Sequence, residues 1–224
     1  MEIQKNTSLK GYNSFGIDSK AKFLAKASNT EQAKEILDRF KEEKRLILGG
    51  GSNILFTKDF DGLVLRNCIT GIEVLKESTD EITVKFGAGE VWHDAVLHCI
   101  KMGYAGIENL SLIPGNCGAA PMQNIGAYGV EIKQVFESLE ALHIASGAVH
   151  RFSNSDCNFG YRESVFKNNV KGEYLILNIT LNLRKKPEFN VSYGAITQQL
   201  EKMNVQDYSI KAVSYTHLTL PTKA

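Results

Sequence analysis

Along the chain, apolar positions alternate between two periods. Residues 22–27 (KFLAKA) predict a short strand. Ser28 followed by Glu31 has the form of a capping box. Ala33, Ile36, Leu37 and Phe40 then fall at helical spacing on one face. RLIL (45–48) and LVLR (63–66) predict buried strands, so residues 1–67 form a small βαβ-type unit. Residues 72–77 and 81–86 predict two strands around the turn Ser78-Thr79-Asp80. A helix follows with Trp92, Ala95, Val96, Cys99 and Ile100 on one face, and Gly103 is its natural stop. SLEALHIA and AVHRF predict a hairpin turning near Ser146-Gly147. In 175–183, Leu175, Leu177, Ile179, Leu181 and Leu183 share one side of a half-buried strand, opposite Asn178, Thr180 and Asn182. A last amphipathic piece carries Ile196, Leu200 and Met203. The mixture predicts an α+β protein.

Two segments fit neither period. Leu48-Gly49-Gly50-Gly51-Ser52-Asn53 follows a strand. Consecutive glycines let backbone N–H groups converge on an anion, and Ser52 and Asn53 add side-chain donors. No lysine follows, which excludes an NTP-hydrolysing P-loop. A glycine-rich turn without a ligand competes with this reading. The second segment, IPGNCGAAPMQNIGAYG (113–129), holds no charge. Gly115, Gly118, Gly126 and Gly129 permit tight turns, Ala119 and Ala120 keep the wall thin, and Pro114 and Pro121 stiffen it. Gln123 and Asn124 can hydrogen-bond the polar edge of a ring. An uncharged, stiff wall suits a flat heterocycle with a pyrophosphate tail; a structural Ω-loop is the alternative. Together the two loops favour a dinucleotide cofactor. Gly87-Ala88-Gly89 at a strand-to-helix turn invites a Rossmann reading, but the third fingerprint glycine would fall at Trp92, where an indole blocks close packing. A classical Rossmann site is therefore excluded, and Gly87, Ala88 and Gly89 remain candidates for extra cofactor wall.

Composition narrows the functional classes. The 224-residue chain has 26 Lys+Arg against 25 Asp+Glu, so no general field favours nucleic acid or an anionic membrane. Any anion must be held by local geometry. Cys68, Cys99, Cys117 and Cys157 form no CxxC pair, and His93, His98, His143, His150 and His217 have no metal-ligand spacing, so no metal site is expected. Cys117 lies in the 113–129 loop without a histidine partner nearby in sequence and reads as a small wall residue. The first residues lack a signal-peptide core and no membrane-length apolar run exists, which leads to the expectation of a cytoplasmic protein. A monomer is expected.

GGGSNILF (49–56), GAGEVWH (87–93), the 113–129 segment and YRESVFK (161–167), with NSFGI at 13–17, resemble in order and spacing the UDP-N-acetylenolpyruvoylglucosamine reductase family. The similarity covers residues 4–213. It implies a two-subdomain FAD-binding fold of the PCMH (vanillyl-alcohol-oxidase-like) type, with subdomains at 1–67 and 68–213, and a third, substrate-binding domain that is missing here. It implies non-covalent FAD held by Leu48 to Ile54, by Gly87 to Gly89, and by Ile113, Pro114, Gly115, Gly118, Ala119, Gln123, Asn124, Gly126, Ala127 and Tyr128. NADPH would be the reductant and a UDP-sugar the substrate. Arg162 matches the family's catalytic arginine, suited to pairing a carboxylate; a surface ion pair with Glu163 or a neighbour is the structural alternative. Tyr161 and Tyr193 match the substrate-binding region.

The sequence also departs from the family. The serine proton donor of a GSFFKNP-like motif and a C-terminal glutamate are absent. From Ser214 the string SYTHLTLPTKA continues no earlier pattern, and 214–224 is expected to be a non-native tail with the preceding helix left unsupported. Ser214 is not a substitute for the proton donor. The chain is expected to bind FAD and to turn over poorly or not at all. An FAD-dependent sugar or alcohol oxidase of the same fold is an alternative, although GGGSN offers no histidine for a covalent flavin. A non-catalytic flavin-binding module is another.

Overall fold

The computed structural model of the chain describes residues 2–192 and 194–219. In the first sheet, β1 (Ile3–Ser8) runs antiparallel to β2 (Lys20–Ala27). Helix α1 (Thr30–Arg39) leads to β3 (Arg45–Leu48), and β4 (Phe60–Asn67) lies between β2 and β3, parallel to both. The strand order is β1-β2-β4-β3. Ala33, Ile36 and Leu37 form the buried stripe of α1, as their spacing predicts.

Two details differ from expectation. The helix cap is Asn29, whose side chain accepts from Gln32 N at 2.9 Å, while Ser28 N donates to Gln32 Oε1 at 2.9 Å. Asn29-x-x-Gln32 sits one residue beyond the expected Ser28-x-x-Glu31, and asparagine caps as well as serine. Strand β1 was not anticipated. IQKNTS has a single large apolar residue, too weak a pattern to predict an edge strand.

The second sheet is antiparallel throughout. It contains β5 (Ile72–Glu77) and β6 (Glu81–Gly87), after which α2 (Trp92–Met102) packs Trp92, Ala95, Val96 and Cys99 inward and ends at left-handed Gly103 (φ 76°). The chain then passes through a short ribbon, β7 (Gly126–Ala127) and β8 (Val130–Glu131). It returns as β9 (Phe136–His143), β10 (Val149–Ser153) and β11 (Tyr174–Arg184), giving the order β10-β9-β11-β6-β5.

Strand β11 does not keep one apolar face. The register slips between Ile176 and Asn178, so an extra residue enters the strand. Leu175 and Leu177 join a core with Ala25, Ile36, Leu63 and Leu65 of the first sheet. Ile176, Ile179, Leu181 and Leu183 join the main core of the second. A strict period of two cannot anticipate this change of face.

The last helices are α3 (Gly194–Lys202) and α4 (Ile210–Thr219). Ile196 and Leu200 are buried, and α3 packs against α4, so the expectation of an unsupported helix is corrected. Helical structure also continues past Ser214. Val213, Ser214 and Thr216 are small enough to bury against the 108–110 turn, where Ser214 Oγ lies 2.6 Å from Ser111 Oγ.

Candidate cofactor-binding site

Strand β3 ends at buried Leu48 and delivers the glycine loop. Gly51 has φ +68°, and a Cβ there would lie 2.0 Å from Tyr12 O. A Cβ on Gly50 would lie 2.6 Å from Asn116 Oδ1. The loop rests on the 13–17 segment: Ser14 N donates to Gly51 O at 3.1 Å. Asn13 ties that segment together, donating from Nδ2 to Leu9 O (2.7 Å) and Ile17 O (3.0 Å) and accepting from Ile17 N (3.0 Å). The NSFGI stretch thus shapes the support beneath the glycines. Among the described residues, the N–H groups of Gly50, Gly51, Ser52 and Asn53 find no protein acceptor, and neither do those of Gly115 and Asn116. A row of unpaired amides is an anion site by its own chemistry.

The 113–129 loop is locked to the turn before α2. Cys117 N donates to Glu90 O (2.8 Å), Gly118 N to Ala88 O (2.9 Å), and Trp92 N to Gly115 O (3.0 Å). Gly118 allows the contact, since its Cβ would stand 2.6 Å from that of Ala88. Asn116 joins the loops: its Nδ2 donates to Gly89 O while its side chain borders Gly49 and Gly50. A second bridge runs from Asn53 Nδ2 to Gln123 Oε1 at 3.3 Å.

Between the loops lie two adjoining cavities. One, of about 550 Å³, is lined by Ser52, Asn53, Trp92, Ile113, Pro114, Gln123 and neighbours. The other, of about 510 Å³, is lined by Leu48 to Ile54, Ala88, Gly115, Gly118, Ala119, Ile176 and neighbours. Ser52, Asn53, Asn116, Ala119 and Met122 border both. Each volume lies in the range of small-molecule sites. The glycines, the unpaired amides and the mostly apolar walls fit a flavin dinucleotide.

Not every candidate from the sequence reaches these cavities. Gly87 and Gly89 face the 68–70 backbone, where a Cβ would stand 2.5 Å from Ile69 O and 2.7 Å from Cys68 C respectively. Asn124 is fully buried with φ 43°; its Nδ2 donates to Glu131 Oε2 (3.0 Å) and Gly160 O (2.9 Å), and its Oδ1 accepts from Lys133 N (3.2 Å). Gly126, Ala127 and Tyr128 lie in the ribbon behind the loop. Conversely, Asn116, Lys167, Lys171 and Tyr174 line the cavities and were not anticipated. For Lys167, the only sequence signal was its place in the YRESVFK segment.

Arg162 stands on the rear of the 113–129 loop at φ 56°. Its Nη1 reaches Glu131 Oε1 (3.1 Å) and Asn124 O (3.3 Å), its Nη2 reaches Gly126 O, and its guanidinium lies 4.9 Å from the centre of the exposed Tyr161 ring. The partner is therefore Glu131. Glu163 pairs instead with Lys167 at 3.5 Å. The Lys133 hydrogen bond, helped by Asn124 and by the Lys133 and Arg162 charges, holds the Glu131 carboxyl below its usual range against the opposing effect of burial. Tyr193 lies outside the described residues.

Three of the four cysteines, Cys99, Cys117 and Cys157, are buried and held as unreactive thiols. Desolvation chiefly, with nearby Glu90, pushes the Cys117 thiol far up, and burial pushes Cys99 and Cys157 up to about 12. No metal-capable group of His, Cys, Asp and Glu occurs among the described residues, and none of their helices is long and apolar enough to cross a membrane.

Comparison with known proteins adds three findings. Residues 21–153 match the family model described as an FAD binding domain. The chain is 50% identical over 216 residues to the UDP-N-acetylenolpyruvoylglucosamine reductase of Amoebophilus asiaticus and 49% identical over 215 residues to that of Flavobacterium johnsoniae. Each alignment covers 96% of this chain and 64% of the relative. The chain thus spans less than two thirds of their length. Among solved structures, the reductase of that name from Thermus caldophilus superposes with TM-score 0.71 at 23% identity, over 99% of this chain and 71% of the other. The 6-hydroxy-D-nicotine oxidase of Arthrobacter nicotinovorans superposes with TM-score 0.59 at 14% identity, over 82% and 42%. These likenesses show a fold shared by reductases and oxidases.

Proposed function

We propose that this chain, which belongs to the FAD-binding domain family, is the flavin-binding portion of a UDP-N-acetylenolpyruvoylglucosamine reductase. The observation that carries the flavin reading is the row of unpaired amides at 50–53, facing an uncharged loop across adjoining cavities. The choice of substrate rests on relatives of that name at 50% and 49% identity.

Bound non-covalently, FAD would supply hydride chemistry, taking a hydride from NADPH and passing it to the enolpyruvyl ether of the UDP-sugar in peptidoglycan precursor synthesis. The chain's own residues bind and orient. The amides of Gly50 to Asn53 and the Ser52 hydroxyl take the pyrophosphate. Asn53 and Gln123 meet the polar ring edge, while Trp92, Ile113 and Pro114 exclude water from it. Arg162 supplies the fixed cation for charge that builds toward the substrate carboxylate. Glu131 and the two carbonyls hold its Nη groups, leaving Nε free of protein partners among the described residues. Tyr161 and Tyr193 are proposed to border the UDP-sugar.

Two measurements test the reading. The purified chain should turn yellow with FAD and release all colour on acid precipitation, because the glycine loop has no histidine to tether a flavin. In a protein extended to the relatives' length, NADPH should bleach the flavin anaerobically and UDP-N-acetylenolpyruvoylglucosamine should restore its colour. Colour restored only by oxygen would favour an oxidase. A chain that stays colourless with excess FAD would refute the flavin reading.

A further inference from the structure

The turn between Arg162 and β11 brings charge to otherwise neutral cavities. Among the described residues, Lys167 is the one charged side chain lining the cavity of about 550 Å³. Lys171 is, among the described residues, the one charged side chain lining its neighbour of about 510 Å³. The short turn that carries them is fastened to the cofactor loop: buried Ser164 donates from Oγ to Met122 O at 2.7 Å. Phe166 is buried beside it, with ring centroids 5.0 Å from Phe152 and 6.3 Å from Tyr174. Lys167 is held by Arg162 O at 2.9 Å and by Glu163. The Lys171 ammonium has no protein acceptor among the described residues.

We propose that Lys167 and Lys171, one lining each cavity, form a two-point cationic clamp on the pyrophosphate of a flavin dinucleotide beside the amide row. The inference deepens the flavin reading and rests on it. In a chain with 26 basic and 25 acidic residues, overall charge gives a dianion no attraction. Unpaired amides provide direction and the lysines provide charge, and charge-assisted hydrogen bonds are the stronger kind. Both side chains are partly solvated, so the clamp must weaken as salt rises.

The test compares FAD with riboflavin, which has the ring but no phosphate. Both are titrated into the chain and into Lys167→Met, Lys171→Met, the double variant and the corresponding arginine variants. Titrations run at about 0.1 M and about 1 M salt, where the screening length falls from about 10 Å to about 3 Å. Each methionine should lower FAD affinity about tenfold at low salt, and the pair about a hundredfold. Riboflavin binding should not change, high salt should close the gap, and arginine should restore most of the affinity. A double variant that binds FAD as the parent does, with equal salt dependence, overturns the clamp alone. Equal losses for FAD and riboflavin also overturn it, because the lysines would then be supporting the fold; thermal melts identify that case. A parent chain that binds no FAD overturns the flavin reading beneath it.

Discussion

The loops at 48–54 and 113–129 are both rich in small residues, yet they use their backbones differently. The first leaves its amides unpaired and is supported from below by Tyr12, Asn13 and Ser14. The second spends many of its amides and carbonyls on structure, bonding to Ala88, Glu90, Trp92 and the Arg162 side chain. Glycine serves conformation and open backbone in one and close packing in the other. Damage to the first should therefore register in cofactor affinity, and damage to the back of the second in catalysis or stability.

The largest effect tests the rear of the second loop. In a protein of the relatives' length, Arg162→Met should lower turnover about 10²- to 10³-fold, the usual scale for losing one preorganised charge stabiliser. FAD affinity should stay near the parent value, because Arg162 lines neither cavity. Steady-state kinetics beside a flavin titration would break the contrast if affinity fell as far as rate. Next comes Gly51→Ala, which meets both a positive φ and the Tyr12 carbonyl. It should cost about 3 kcal/mol in urea unfolding and abolish retention of the yellow colour. A smaller loss, about 2 kcal/mol, is expected for Asn124→Ala, which strips a buried network of its amide. If that variant lost flavin affinity without stability, Asn124 would belong with the first loop instead.

The smallest effect is a dependence on pH. Because the Glu131 carboxyl is held below its usual value, its contribution to stability is fully present above about pH 4.3, the unfolded value. It is lost as pH falls through the lower native value. The gap in urea midpoint between the parent and Glu131→Gln should be widest near neutrality and close in acid. A gap independent of pH would show that the ionised form of Glu131 does not contribute.

Regular elements were legible where one face of an element meets one core. The apolar faces of α1 and α2 could be read from spacing alone. The glycine loop and the front of the 113–129 loop were legible because glycine and proline state their conformational purpose. What escaped depends on who meets whom. Strand β1 is recognisable only beside β2, and the two faces of β11 only beside both sheets. Asn124 looked like a ring contact until its neighbours claimed every polar atom it has. Lys167 and Lys171 look like ordinary surface lysines until Ser164 pins their turn to Met122.

The slipped register at Leu177 fastens the two sheets to each other. One continuous strand, central in its sheet, places leucines in both hydrophobic cores. Swinging the two sheets apart would pull Leu175 and Leu177 out of the core they share with the first sheet, so apolar burial opposes any such opening.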